Sequence, residues 1–140
     1  MWNLETVTSS STLQGVKILV VDDDPDSCDL LSTVLQVYEE ADVRAFSSVK
    51  DVLSVFRQLQ PQVVISDIAM PNADGFALIQ AIRSFPAEQG GKVSAIALSA
   101  MASDEDRQRA LEAGFDRYLT KPMDVDELIS TLLDLLREAR

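Results

Sequence analysis

Acidic residues gather where an apolar run ends. Lys17-Ile18-Leu19-Val20-Val21 is followed at once by Asp22, Asp23 and Asp24, and Val63-Val64-Ile65 leads through Ser66 to Asp67. Two further apolar runs finish in residues that can do chemistry: the run from Val93 to Leu98 meets Ser99, and Tyr118-Leu119 meets Thr120, Lys121 and Pro122. Singly, each signal is ordinary, since aspartates cap helices, a serine turns the chain and Lys-Pro makes a loop. Brought to one edge, they act together. Three carboxylates on a low-dielectric rim repel one another. A hard divalent cation relieves that repulsion, and all-oxygen ligation selects magnesium or manganese over zinc. Three carboxylates then balance one divalent ion and one lysine. A metal, an ammonium and a hydroxyl around a carboxylate suit phosphoryl transfer, in which charge on the moving oxygens is neutralised while the carboxylate attacks phosphorus.

The segments between the runs decide whether those ends meet. Asp24-Pro25 opens a helix with Asp as N-cap and Pro in its first turn, and Leu31, Val34, Leu35 and Tyr38 recur at helical spacing. Ser48 with Asp51 resembles a capping box before Val52, Leu53, Val55, Phe56 and Leu59. A third helix starts near Gly75, carries Phe76, Leu78, Ile79 and Ile82, and is closed by Pro86 and a polar loop over Glu88-Gln89-Gly90-Gly91. Ser103 with Asp106 caps a fourth that stops at Gly114. Asp124 with Glu127 caps the last, lined by Leu128, Ile129, Leu132, Leu133, Leu135 and Leu136. With a short apolar run from Val43 to Phe46, five strands alternate with five helices. Strict alternation predicts an α/β fold, a doubly wound parallel sheet with helices on both faces and right-handed crossovers. Ligands of such sheets sit beyond the carboxyl ends of the strands, which is where these residues fall.

Composition narrows the function classes. The 140 residues fit one domain, with 46% hydrophobic and 25% charged residues, the balance of a globular protein. A single cysteine leaves no disulfide framework, and Cys28 on the first helix reads as packing. Histidine is absent, which excludes a Ser-His-Asp hydrolase, a histidine-ligated zinc site and a phosphohistidine carrier. A net charge of −11 argues against nucleic-acid binding. No run is long enough to span a membrane, and the amino-terminal residues lack a signal peptide's regions, so a cytoplasmic location is expected. Residues 1–15 are polar and aperiodic, read as a mobile tail in which only Trp2 and Leu4 could dock. A folded domain is expected over residues 16–140.

Ile18-Leu19-Val20-Val21-Asp22-Asp23, Asp67 with Met70-Pro71 and Asp74-Gly75, Ala97-Leu98-Ser99-Ala100 and Tyr118-Leu119-Thr120-Lys121-Pro122 together resemble the receiver domain of bacterial two-component response regulators, from about Val16 to Leu136. The resemblance implies a flavodoxin-like five-stranded sheet of order 2-1-3-4-5. It implies that Asp67 is the phosphoacceptor, and that Asp23, Asp67 and the backbone carbonyl of Ala69 hold Mg2+ (or Mn2+), with Asp22 acting mainly through a bound water. Lys121 would pair with phosphoryl oxygens, held by a cis peptide before Pro122. Ser99 and Tyr118 would be the switch pair, the tyrosine rotating inward as Ser99 moves toward the phosphoryl group. Such a protein is a signalling phosphoacceptor that modifies and slowly dephosphorylates itself, not an enzyme in the ordinary sense. Its partners would be a histidine kinase or histidine phosphotransfer protein, and a downstream protein reading the face made by the fourth helix, fifth strand and fifth helix.

Two other readings stay open on the residues. A haloacid-dehalogenase-like phosphatase uses the same cast with its nucleophile on the first strand, and Asp22 with Asp24 could imitate its Asp-x-Asp motif. A phosphorylation-independent interaction module could share the fold. The chain could be a stand-alone receiver or one excised from a hybrid kinase, as the long Phe85 to Lys92 connection suggests.

Overall fold

A computed structural model of the protein describes residues 13–68, 75–100 and 103–139. Five strands, β1 (Lys17–Val21), β2 (Asp42–Phe46), β3 (Val63–Asp67), β4 (Ser94–Ser99) and β5 (Arg117–Thr120), form one sheet in the order β2-β1-β3-β4-β5. Every pairing is parallel. The helices are α1 (Pro25–Thr33), α2 (Val49–Leu59), α3 (Gly75–Arg83), α4 (Asp104–Ala113) and α5 (Val125–Glu138).

Four helices, α1, α2, α4 and α5, start on caps legible in the sequence. Asp24 accepts from the Asp26 N–H, Ser48 from that of Asp51, Ser103 from that of Asp106 and Asp124 from that of Glu127. These bonds satisfy amide donors that the first helical turn leaves without a partner. Gly114 ends α4 with φ of 128°, a conformation L side chains avoid.

The sheet separates two apolar layers. On one side Leu31 and Leu35 with Leu128, Leu132 and Leu135 of α5 cover Ile18, Val20, Ile65, Ile96 and Leu98. On the other, Val52 and Phe56 of α2, Leu78, Ile79 and Ile82 of α3 and Ala110 of α4 cover Leu19, Val21, Val64, Ala95 and Ala97. Alternate residues of β1 thus feed opposite layers, as the two-residue period of a strand requires. Arg83 ties the second layer down at the edge: its guanidinium donates to the carbonyls of Gly91, Val93 and Gly114 and to Asp116.

Two expectations are corrected. Leu13, read as part of the tail, is completely buried in the first layer, and the Val16 N–H donates to its carbonyl at 3.1 Å. Residues 1–12 of that tail lie outside the described residues. Tyr38, placed by helical spacing on the core face, is 72% exposed. The reason is a π-helical segment, Val34–Tyr38, that continues α1. Its wider winding advances each residue by less than the 100° of an α-helix, so Leu35 stays inside while Val37 and Tyr38 turn out. The loop after Pro86 also holds a short 3₁₀ turn, Ala87–Gln89, where only irregular chain was expected.

Candidate functional site

The register aligns the strand ends. Val21 lies opposite Ser66, Asp67 opposite Leu98, and Ser99 opposite Thr120. The residues that follow, Asp22 beside Asp67 and Lys121 beyond Thr120, therefore converge at the carboxyl edge.

Asp22 is 1% exposed and fully engaged. Its N–H donates to the Phe46 carbonyl at 3.1 Å. Oδ1 accepts from the Asp24 N–H at 2.9 Å, and Oδ2 accepts from Lys121 Nζ at 3.0 Å. Lys121 Nζ also donates to Oδ2 of Asp67, at 3.1 Å, so one ammonium bridges two buried carboxylates. Burial pushes the Asp22 carboxyl above its ordinary range, against the pull of the Asp24 amide and the lysine. Burial alone would lower the lysine; its bonds to Asp22 and Asp67 outweigh that and raise it. Both directions follow from geometry, since Asp22 is enclosed with one shared cation while the lysine has two anionic partners.

The lysine itself is held twice. Its N–H donates to the Ser99 carbonyl at 2.8 Å, and the Lys121-Pro122 peptide is cis, as the resemblance implied. Ser99 is fully buried at the end of β4. On the opposite side Ser66 Oγ donates to the Asp67 carbonyl at 2.9 Å, and Gly75 at the start of α3 packs against that same carbonyl. A Cβ on Gly75 would come within 2.7 Å of the Asp67 carbonyl oxygen and 2.9 Å of Ile68 Cα, so only glycine lets α3 approach β3 this closely.

Carboxylate oxygens of Asp22, Asp23 and Asp67 all lie within 4.8 Å of one another. Asp22 and Asp67 are buried and Asp23 is exposed, so the trio opens to solvent on one side. Three hard oxygen donors with a single ammonium among them leave negative charge over, and a small divalent cation fits that surplus. The carbonyl of Ala69 falls outside the described residues, as do Met70, Pro71 and Asp74.

The remaining sequence assignments divide. Cys28 is half-buried and its thiol donates to the Asp22 carbonyl at 3.2 Å. Burial, with Asp22 close by, pushes the thiol up, which suits a packing role. Asp24 does not complete an Asp-x-Asp pair with Asp22, because its carboxylate is spent on the Asp26 N–H and the Ser27 hydroxyl. The ring of Tyr118, which the resemblance makes one of the switch pair, is buried, 4% exposed. The Arg107 guanidinium lies 5.3 Å from the ring centroid. No pattern in the sequence marks that contact.

Comparison with known proteins places the arrangement. The family described as "Response regulator receiver domain" matches residues 18–133. The chain is 49% identical over 118 residues to an uncharacterized 14.6 kDa protein of the sodA1 3′ region in Leptolyngbya boryana, covering 84% of this chain and 88% of that one. It is 34% identical to the DNA-binding dual master transcriptional regulator RpaA of Synechocystis, covering 86% of this chain but 49% of that protein, so it spans about half of RpaA. Among solved structures, the receiver domain of the Francisella response regulator 1452 superposes with a TM-score of 0.79 at 30% identity, covering 90% of this chain and all of that one. A response regulator from Chloroflexus aurantiacus, described as putative, gives 0.81 at 28%, covering 91% and 100%.

Proposed function

This chain belongs to the response regulator receiver family, and from that membership we propose that it accepts a phosphoryl group on Asp67 from a phosphohistidine of a histidine kinase or phosphotransfer protein. The observation that carries the reading is the Lys121 ammonium bridging the buried carboxylates of Asp22 and Asp67 beside Asp23. A carboxylate oxygen of Asp67 attacks phosphorus, the phosphorus–nitrogen bond breaks, and the imidazole leaves with the electron pair. Lys121 exchanges its bond to Asp67 for one to a phosphoryl oxygen, reachable from where its Nζ already sits. Asp22, Asp23 and Asp67 would hold magnesium, which supplies charge neutralisation on the transferring oxygens when bound. Water that later attacks phosphorus breaks the acyl–phosphate bond, releases inorganic phosphate and restores the Asp67 carboxylate, a slow self-dephosphorylation.

A protein donor has a surface to meet beside the site. A cleft of about 170 Å³ lined by Leu30, Leu31, Leu98, Lys121, Pro122 and Met123 flanks the lysine, and Leu30 is 52% exposed. The phosphorylated state would be read downstream on the face of α4, β5 and α5. Incubation with magnesium and a small acyl-phosphate donor, followed by peptide mapping in the mass spectrometer, tests the core of this. Phosphate on Asp67, abolished by Asp67→Asn, is expected. Label on Asp22 would instead revive a phosphatase-like nucleophile, and no label at all would favour an interaction module that works without phosphate.

A further inference from the structure

Under the opposite, amino-terminal edge of the sheet runs a groove of about 810 Å³. Val16, Val93, Leu133 and Leu136 form apolar walls, and Lys92 and Arg137 are its only charged residues among those described. Arg137 is paired with Asp134, which leaves Lys92 as the cation of this rim, on a chain of net charge −11. The groove is remote from the carboxylates, which occupy the other end of the strands, so phosphoryl transfer does not account for it.

The chain enters the fold beside this groove. Leu13 is wholly buried and its carbonyl accepts the N–H of Val16, a wall residue. The twelve residues before Leu13 carry four large apolar side chains, Met1, Trp2, Leu4 and Val7, one acid, Glu5, and no lysine or arginine. We propose that the segment from Trp2 to Val7 of this same chain occupies the groove, with Trp2 and Leu4 against its walls and Glu5 toward Lys92.

Three features support this occupant over others. Reach is ample, because the nine residues from Leu13 back to Leu4 extend up to about 30 Å. Attachment helps, since a short tether places the segment at an effective concentration on the order of millimolar, enough to populate a contact too weak for a free peptide. Chemistry matches as well, with a tryptophan that removes roughly 150–250 Å² from water when buried, and a lone acid facing Lys92. Leu13 is already one leader residue that the fold uses as an apolar anchor.

Trp2 is the single tryptophan, so its emission reports this segment alone. In the full chain, selective excitation should give emission blue-shifted from that in urea, with weaker quenching by acrylamide. Both effects should be lost in Leu4→Asp, which leaves residues 13–139 untouched, and in Leu136→Asp once circular dichroism shows it folded. They should be weakened in Lys92→Glu, an exposed site that guards against misfolding of the leucine variant. Serial dilution should change nothing. Emission already equal to that in urea, shielding that survives Leu4→Asp and Lys92→Glu, or a blue shift that fades on dilution because a second copy supplies the groove, would each overturn the proposal.

Discussion

The guanidinium of Arg107 on α4 stands 5.3 Å from the centre of the Tyr118 ring on β5, a ring that belongs to the second core layer with Ala95, Ala97 and Ala110. A cation over an aromatic face contributes roughly 0.5–2 kcal/mol, more as water is excluded. Arg107→Ala should therefore lower stability toward urea by up to that amount and free the Tyr118 ring. Ring resonances of Tyr118 that neither shift nor broaden in the variant, with an unchanged urea midpoint, would show the contact to be idle.

Ser99 bears on how far phosphorylation could drive the switch. A hydrogen bond to a charged group nets roughly 1.5–3 kcal/mol, whereas turning a 1:99 equilibrium into 99:1 needs about 5.5 kcal/mol. Ser99 alone falls short of a full inversion. Arg107 lies over the Tyr118 ring, so an inward turn of the ring should come with a rearrangement of Arg107 and α4. Ser99→Ala should leave Asp67 open to phosphorylation while reducing the shifts around Tyr118. Identical shifts in wild type and variant would move the coupling to Lys121, whose N–H already bonds the Ser99 carbonyl.

Crowded carboxylates cost stability when no cation is bound. Asp22 is enclosed and held above its ordinary range by burial, so Asp22→Asn should raise the melting temperature of the metal-free protein, retaining an acceptor for the Asp24 N–H. Magnesium should raise the wild-type melting temperature by mass action, adding about 2.7 kcal/mol of stability at a hundred times its Kd, and raise that of the variant less. A melt indifferent to magnesium, with Asp22→Asn no more stable, would separate the three carboxylates from any metal.

Gly75 makes a steric prediction. Its missing Cβ leaves room for the Asp67 carbonyl, and an added methyl meets backbone that cannot step aside. Gly75→Ala should cost roughly 1–3 kcal/mol, the usual range for overpacking. It should also slow modification of Asp67 by displacing the end of β3. Wild-type rates and stability in that variant would mean that α3 tolerates the shift.

Much of this was readable from residues because the signals are local. Ser48, Ser103, Asp24 and Asp124 bond the amides their spacing predicts, and five short apolar runs imply strands whose parallel register then collects Asp22, Asp67, Ser99 and Lys121. What escaped depends on tertiary context. Leu13 follows a run of serines and threonines and is buried by the turn that its carbonyl makes with the Val16 N–H. Tyr38 obeys helical spacing, but the π winding carries it outward. Arg83 satisfies three backbone carbonyls, partners with no residue identity to detect, and Arg107 meets Tyr118 from another element.

The anchorage of α4 has its own consequence. Ala110 is its one buried residue, and two of its arginines reach across to aromatic rings, Arg107 to Tyr118 and Arg109 to Phe76 at 4.6 Å. Contrast α5, which buries Leu128, Leu132 and Leu135. Local opening is governed by how much apolar contact must be broken, so α4 should be the first helix to exchange its amide hydrogens with solvent, well before the sheet beneath it. A helix moored by side-chain tips can be repositioned, or its outward residues rewritten, without renegotiating the core.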